Sequence, residues 1–279
     1  MESLNLTFIG AGNMARSLIG GLLAAGFPRE RISATDPNEV AREQLTQQLG
    51  VRALADNAEA ARQADVVVLA VKPQQLQAVC RELSPAVGHR PLIISIAAGI
   101  RTDAIDRWLG GGLPIVRTMP NTPALVRSGA TGLYANAQVM PEQKDAAENI
   151  LRTVGLTLWV EKESLLDAVT AISGSGPAYF FLFMEALADA GESLGLTPEA
   201  ARLLTVQTAL GAARMALEGE DDLAELRRRV TSPGGTTAAA LAVFDEAGCR
   251  EIIHQAAEAA RNRAEELAEQ LGRDEEVKS

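Results

Sequence analysis

The sequence contains very little cysteine and histidine. Of its 279 residues, two are cysteine (Cys80 and Cys249) and two are histidine (His89 and His254). Two cysteines cannot build the disulfide framework of a small secreted protein, so we expect a reducing compartment, the cytoplasm. Neither histidine adjoins a recognisable motif, and no metal site is expected.

Positive charge and long apolar runs are scarce as well. The chain has 26 lysines and arginines against 36 acidic residues, a formal net charge of −10. This balance disfavours a nucleic-acid or anionic-membrane partner. The apolar runs look too short for a membrane span, and the first residues lack the basic segment of a signal peptide. We therefore expect a protein of the cytoplasm that binds neither nucleic acid nor membranes.

The first half of the chain alternates apolar strands with helical segments. Strands are predicted at residues 6–9, 32–35, 65–71, 91–96 and 114–117, with edge strands at 131–134 and 156–160. Strands that are apolar almost throughout are typical of a parallel sheet covered by helices on both faces. The length suits two domains, and we expect the sheet domain to occupy residues 1–162.

The second half, residues 163–279, is predicted to be an all-α domain. An interruption by Ser-Gly-Ser-Gly-Pro at residues 173–177 is expected to precede a long helix at 178–194. That helix is apolar around most of its circumference, so it must be buried, and a domain of this size can hardly enclose it alone. We therefore expect a homodimer that packs through the helical domain.

A glycine-rich turn follows the first strand. Residues 10–15 fit the pattern G-x-G-x-x-G/A, in which Gly10 permits the turn, Gly12 lets the backbone approach a pyrophosphate and Ala15 packs closely on the strand. The pyrophosphate would lie at the helix N-terminus, where unpaired N–H groups favour an anion. The first domain is therefore predicted to be an NAD(P)-binding domain of the Rossmann type.

Asp36 ends the second strand, where a carboxylate can bond the ribose hydroxyls of NAD and repel the 2′-phosphate of NADP. An Asp-Pro turn that opens the next helix is an equally good interpretation, and Arg42 is a more distant candidate for a phosphate clamp.

The ends of three further strands also carry small or polar residues, and these ends meet at one edge of a parallel sheet. The motif residues expected at the cofactor are Ile9, Gly10, Ala11, Gly12, Asn13, Met14, Thr35, Asp36, Ala70, Val71, Lys72, Pro73, Ile96, Ala97, Ala98 and Asn121.

A second distinctive stretch, Val-Thr-Ser-Pro-Gly-Gly-Thr-Thr, occupies residues 230–237. Its proline and glycines cannot continue a helix, whereas the residues after it are apolar at helical spacing. The stretch is thus predicted to be a loop that leads into a helix N-terminus, with hydroxyls and free N–H groups on one side. An ordinary turn between helices is the alternative.

These motifs together resemble the pyrroline-5-carboxylate reductases, which make L-proline in the last step of its biosynthesis. The resemblance rests on residues 8–14, 70–73, 117–123, 173–179 and 230–237, in the order that the family has them. It implies a Rossmann domain, a helical domain that intertwines into a dimer, and often a decamer. It also implies NADPH or NADH as hydride donor and pyrroline-5-carboxylate as substrate.

The resemblance also implies roles for individual residues. Main-chain N–H groups of Gly234, Gly235 and Thr236 would hold the substrate carboxylate at a helix N-terminus. Asn57 matches a position near the cofactor ribose, and Asp36 stands where many relatives have a small hydroxyl residue, which leaves the choice between NADH and NADPH open. The expected substrate residues are Ser232, Gly234, Gly235, Thr236, Thr237 and Glu220, of which Thr237 would bond the ring nitrogen as the catalytic residue and Glu220 would brace the loop.

The scarcity of histidine fits an imine substrate. Reduction of a ketone needs an acid for the forming alkoxide, whereas a protonated cyclic imine already accepts hydride, so positioning suffices. A β-hydroxyacid dehydrogenase is the alternative enzyme, but its lysine one turn after the glycine-rich stretch is missing here. The alternative that is not an enzyme is a regulatory sensor that binds NAD(P) without turnover. Activity on the six-membered imine homologue stays open.

Overall fold

The computed structural model describes residues 3–273. Met1 and Glu2, on which the signal-peptide expectation partly rests, and residues 274–279 lie outside this range. The chain divides into two compact units, one of Met1–Ser175 with Ala260–Ser279 and the other of Gly176–Ala259. The expected boundary between residues 162 and 163 stays a prediction.

The first unit is built on an eight-stranded sheet in the order β3-β2-β1-β4-β5-β6-β7-β8. Strands β1 to β6 are parallel and follow the Rossmann order, β7 runs antiparallel to β6, and β8 is parallel to β7. The predicted fold class is confirmed. The strands are β1 Leu6–Ile9, β2 Ile32–Thr35, β3 Arg52–Leu54, β4 Val66–Leu69, β5 Leu92–Ser95, β6 Ile115–Met119, β7 Gly129–Ala135 and β8 Gly155–Trp159.

Helices cover both faces of this sheet. Alternate residues of β1 face opposite sides: Phe8 joins the core on one face, and Ile9 joins the core on the other. Both are fully buried, which explains why β1 and its parallel neighbours are mostly apolar on both faces. The helices are α1 Asn13–Ala24, α2 Glu39–Leu49, α3 Asn57–Ala61, α4 Pro73–Leu83, α5 Thr102–Trp108, α6 Pro141–Arg152 and α7 Leu165–Val169.

The second unit is entirely helical. Its helices are α8 Gly176–Ser193, α9 Pro198–Glu218, α10 Leu223–Arg229, α11 Thr236–Glu246 and the first part of α12 Cys249–Leu271, whose last turns belong to the first unit. The side chains of Phe180, Phe181 and Leu182 on α8 are 69%, 63% and 67% exposed. A single chain therefore leaves the most apolar helix largely uncovered.

The expected interruption at residues 173–177 is a single bend at Ser175, and α8 begins at Gly176, two residues before the predicted start. The chain stays helical through a π-helical segment, Thr170–Gly174, in which the Ser175 N–H donates to the Thr170 carbonyl at 2.8 Å. The wider turn ends at Gly174, and Gly176 and Pro177 already form the first turn of α8. The resulting stretch Leu165–Ser193 is long and apolar enough to cross a membrane by length and composition alone, so the expectation that the apolar runs are too short is wrong.

A buried ion cluster joins β6 to α7 and to the start of α5. Arg117, 3% exposed, lies 3.3 Å from a Glu163 oxygen and 3.6 Å from an oxygen of Asp167, which is 1% exposed. The guanidinium of Arg101 approaches the other Asp167 oxygen at 3.5 Å. Glu163 also accepts the Thr102 N–H at 2.7 Å. Two arginines thus neutralise a pair of carboxylates inside the first unit.

Asp167 is the least satisfied member of this cluster. In the described part of the chain, neither of its carboxylate oxygens has a hydrogen-bond partner. Burial raises the pKa of Asp167 above its ordinary value, and Arg117 and Arg101 only partly oppose that shift. The folded protein therefore binds the Asp167 proton more tightly than the unfolded chain does. The stabilisation that comes from this tighter proton binding is present at low pH. It is lost as the pH rises from about 4 through the folded-state pKa.

Replacement of Asp167 by asparagine should remove this pH-dependent loss. We expect the free energy of unfolding of Asp167→Asn, relative to wild type, to improve as the pH rises above about 4 and to level off above the folded-state pKa of Asp167. Urea unfolding at a series of pH values measures it. Asp145→Asn removes one carboxylate from an exposed position on α6 and serves as the matched control. A difference between Asp167→Asn and wild type that stays constant or shrinks with rising pH would contradict the assignment.

Candidate active site

The predicted cofactor residues that follow β1, β2, β4 and β5 lie at one edge of the sheet. The Gly10 N–H donates to the Thr35 carbonyl at 3.0 Å, and the Ala70 N–H donates to the Ile9 carbonyl at 2.8 Å. The strand order reverses between β1 and β4, so a crevice opens where ligands of such sheets bind. The structure therefore brings these four strand ends together as the sequence predicts.

The two glycines of the first turn have different physical roles. Gly10 has a φ of +105°, and a Cβ there would lie 2.8 Å from the Ala70 carbonyl oxygen, so only glycine fits. Gly12 is the N-cap residue of α1 in an extended conformation, and a Cβ there would meet nothing within 4 Å. The space beside Gly12 is thus free for a ligand that approaches the backbone.

The N-terminus of α1 suits an anion. Within residues 3–273, no side chain caps this helix end, and its first turn contains no acidic residue. The N–H groups of Asn13, Met14 and Ala15 have no acceptor inside the helix, and the helix dipole adds partial positive charge. Ala15 is buried against the sheet. These features fit a dinucleotide pyrophosphate.

Asp36 takes part in the turn that follows β2. One carboxylate oxygen accepts the Asn38 N–H at 2.9 Å, and the other accepts the Ala11 N–H at 3.3 Å. The turn interpretation is therefore correct, and the ribose contact stays a prediction because an ionised carboxylate can accept further hydrogen bonds. Arg42 donates to the Asp36 carbonyl at 2.8 Å, so it lies at the same turn and is less distant than expected.

The remaining predicted cofactor residues differ in what their side chains do. Asn57 accepts the Thr35 hydroxyl at 2.6 Å and donates to Glu82 at 3.3 Å, which places it beside the end of β2. Both polar atoms of the Asn121 side-chain amide already have hydrogen-bond partners. The nitrogen donates to the Ser173 carbonyl at 3.0 Å, and the oxygen accepts the Ala130 N–H at 2.9 Å. The other predicted positions at this edge are Val71, exposed Lys72 and Pro73 at the start of α4, and Ile96, Ala97 and Ala98 after β5.

The predicted substrate loop lies in the helical unit and ends at the N-terminus of α11. Gly234 adopts a left-handed φ of +68°, and the Gly235 N–H closes a turn onto the Ser232 carbonyl at 3.1 Å. Gly235 was expected to hold the carboxylate, but its N–H is committed to this turn. The N–H groups of Thr236, Thr237 and Ala238 follow it and have no acceptor inside the helix.

This helix end is open in the same way as that of α1. In the described range, no side chain caps α11 and no acidic residue lies in its first turn. The motif signalled the loop correctly, but only the backbone geometry shows that the Gly235 N–H bonds the Ser232 carbonyl and that the Ala238 N–H has no acceptor inside the helix.

Carboxylates brace the start of this loop. Arg229, the last residue of α10, pairs with Glu225 at 3.0 Å and with Asp221. Glu220, the residue expected to act as the brace, is exposed in the turn between α9 and α10, and its role stays a prediction. The i, i+4 spacing of Glu225 and Arg229 is the sequence signal that could have identified this pair.

Comparison with known proteins agrees with both units. The family model for pyrroline-5-carboxylate reductase dimerisation matches residues 163–267, and the model for NADP oxidoreductase, coenzyme F420-dependent, matches residues 5–99. A pyrroline-5-carboxylate reductase of Pseudomonas aeruginosa is 56% identical over 272 residues, which cover 98% of this chain and all of that protein.

The chain belongs to the pyrroline-5-carboxylate reductase family. Solved members of the family share its structure along nearly the whole length. The Coxiella burnetii reductase is 51% identical with a TM-score of 0.93 and covers 95% of this chain and 99% of that one. The Plasmodium falciparum enzyme, solved with NADP bound, is 31% identical with a TM-score of 0.85 and covers 96% and 99%. The resemblance found in the sequence is thereby confirmed.

Gly12 offers a direct probe of the cofactor edge in this reductase. Gly12→Ala should leave the fold intact, because a Cβ there meets nothing within 4 Å, yet it should weaken NAD(P)H binding at least tenfold because the methyl group occupies the approach to the pyrophosphate. Fluorescence titration with NAD(P)H gives the Kd, and thermal unfolding reports the fold. Gly20→Ala in the middle of α1, where a Cβ is equally unobstructed, is the control and should keep wild-type affinity. Equal affinities for the two variants would remove Gly12 from the site.

Proposed function

We propose that this chain catalyses the NAD(P)H-dependent reduction of L-1-pyrroline-5-carboxylate to L-proline, the last step of proline biosynthesis. The observation that carries the proposal is the full-length identity of 56% to a pyrroline-5-carboxylate reductase. Two features of the chain support it: the open helix end beside Gly12 and the hydroxyl-rich loop that ends at the open N-terminus of α11.

The main chain of the substrate loop performs the binding. N–H groups of Gly234, Thr236 and Thr237 hold the substrate carboxylate, helped by the dipole of α11. Ser232 supplies the carbonyl that closes the turn at Gly235 and so fixes the direction of the following N–H groups. Binding through the backbone requires no cationic side chain at this position.

The Thr237 hydroxyl orients the substrate ring through its nitrogen. When bound, the reduced nicotinamide supplies the hydride. Because the protonated imine is already an acceptor and the product amine is basic, the chain needs no side-chain acid, and its task is to position the two reactants. The residues after β1, β2, β4 and β5 hold the cofactor, with Asn57 and Asp36 nearest its ribose.

The helical unit forms the dimer interface, and in the family dimers often assemble further into decamers. The exposed aromatic side chains of α8 and the match to a dimerisation family model support the interface. An apolar helix that a second subunit covers would also explain why Leu165–Ser193 has the composition of a membrane span. We propose a cytoplasmic enzyme without membrane or nucleic-acid partners.

Sedimentation of the full chain should give a dimer or a multiple of it, and a monomer at micromolar concentration would contradict the interface.

The reaction is tested by the loss of absorbance at 340 nm with pyrroline-5-carboxylate and either NADH or NADPH. Oxidation of either cofactor with proline as the product is the expected result. The ratio of the two kcat/KM values measures the effect of Asp36, whose charge would disfavour a 2′-phosphate by roughly 1–4 kcal/mol at ~4 Å. Oxidation of hydroxyacids instead would favour the β-hydroxyacid dehydrogenase alternative, and NAD(P)H binding without any turnover would favour the sensor.

Thr237 should matter for turnover more than for binding. Thr237→Ala removes the hydroxyl that orients the ring, and a lost hydrogen bond to a charged group of about 1.5–3 kcal/mol predicts a kcat lower by about 10- to 100-fold. Thr237→Ser keeps the hydroxyl and should retain most of the activity. Steady-state kinetics of the three proteins decide the role, and a wild-type kcat in Thr237→Ala would exclude it.

A further inference from the structure

The helix that runs from α7 into α8 contains a proline at a position where a donor is needed. Ser173 is the fourth residue of the π-helical segment, and where the chain resumes α-helical spacing towards α8 its carbonyl would accept the N–H of residue 177. Residue 177 is proline, which has no N–H. The Ser173 carbonyl, which is partly shielded from water, therefore needs a donor from elsewhere, because an unpaired carbonyl away from water is costly.

Asn121 supplies that donor. Its side-chain amide donates to the Ser173 carbonyl at 3.0 Å, and its Oδ1 accepts the Ala130 N–H at 2.9 Å. Asn121 is only 9% exposed and comes two residues after β6, where it precedes the short 3-10 turn Thr122–Val126. One amide thus connects the end of β6, the start of β7 and the π-helical segment Thr170–Gly174.

The same two elements also pack directly on each other. A Cβ added at Gly174 would lie 2.6 Å from the terminal methyl carbon of Met119, the last residue of β6. The π-helical segment therefore lies against the carboxyl end of β6. This is the edge of the sheet at which the strands that hold the cofactor also end.

We propose that Asn121 is a positioning residue for hydride transfer. Its amide replaces the helical donor that Pro177 lacks and so holds the π-helical segment Thr170–Gly174 in register with the end of β6. Asn121 acts through this bond and not by contact with the nicotinamide, which revises the direct contact expected from the sequence. The inference rests on the proposed reductase activity, because small displacements of the reacting groups are costly to hydride transfer.

Asn121→Asp isolates the donor. The aspartate keeps an oxygen for the Ala130 N–H, but in its ionised form it cannot donate to the Ser173 carbonyl. We expect kcat to fall about tenfold, since loss of one partly buried hydrogen bond is of that order, while the Kd for NAD(P)H in a fluorescence titration stays at the wild-type value. Protonation restores an O–H donor, so the ratio of the variant's kcat to that of wild type should rise as the pH falls. Asn121→Ala, which cannot regain a donor, should show no such rise.

Pro177→Ala provides the rescue. It restores an N–H at the position that the Ser173 carbonyl would normally use, so Asn121→Asp combined with Pro177→Ala should recover most of the lost kcat. In thermal unfolding, Pro177→Ala should raise Tm more in the Asn121→Asp background than in wild type, where the carbonyl already has its donor. This double-mutant cycle needs no catalysis, so it separates failure of the inference from failure of the proposed function.

Two results with a folded Asn121→Asp variant would overturn the inference. If Asn121→Asp weakens NAD(P)H binding and Pro177→Ala does not rescue it, Asn121 contacts the cofactor directly. If Asn121→Asp keeps wild-type kcat and Tm, the bond to Ser173 has no role. Should Asn121→Asp fail to fold, recovery of soluble protein by Pro177→Ala supports the bond, and continued failure of the double variant contradicts it.

Discussion

The main-chain N–H groups at the start of an α-helix have no acceptor within the helix, and the recognition proposed for this chain depends on that constraint. Helices α1 and α11 both begin after a glycine, and within the described residues neither has a side-chain cap or an acidic residue in its first turn. Their donors must therefore be satisfied by water or by a ligand. Both ligands of the proposed reaction, a dinucleotide and a carboxylate, are anions.

Recognition by the backbone explains why the sequence is poor in the usual catalytic side chains. The fold supplies partial charge and direction at both helix ends, and the side chains around them mainly shape the loops. Gly10 and Gly234 adopt backbone conformations that other residues rarely accept, and Arg229 is held by two carboxylates at the start of the substrate loop. A protonated imine requires little more, since its reduction depends on position and not on a strong acid.

The sequence predicted those parts of the fold that local pattern determines. Strands β1 and β2 were predicted with the bounds that the structure shows, because β1 is a mainly apolar run that ends at a glycine turn and β2 is a short run that ends at an Asp-Pro pair. Strand β3 was missed because it has three residues, one of them the exposed Arg52. The π-helical segment was not predicted, and the interruption was expected to be longer than one residue, because glycine and proline usually end a helix and the wider turn leaves no local pattern.

Prediction of the candidate site from the sequence has the same limit, because local pattern locates an element but not its contacts. Motifs located both helix ends, but they did not identify the partners of individual hydrogen bonds and ion pairs. The commitment of the Gly235 N–H to a turn, the bond from Asn121 to Ser173 and the pairing of Asp221 with Arg229 all appear only in three dimensions. In each case the sequence identified the correct neighbourhood and the structure supplied the partner.

The central claim, direct hydride transfer from a nicotinamide to a cyclic imine, is tested most directly with a labelled cofactor. NADH or NADPH carrying deuterium at the transferred position of C4 would be incubated with the enzyme and pyrroline-5-carboxylate, and the proline would be analysed by mass spectrometry and NMR. We predict a single deuterium at the former imine carbon and none at that carbon when unlabelled cofactor is used in D2O. Unlabelled proline, or a label that comes from the solvent, would contradict the account.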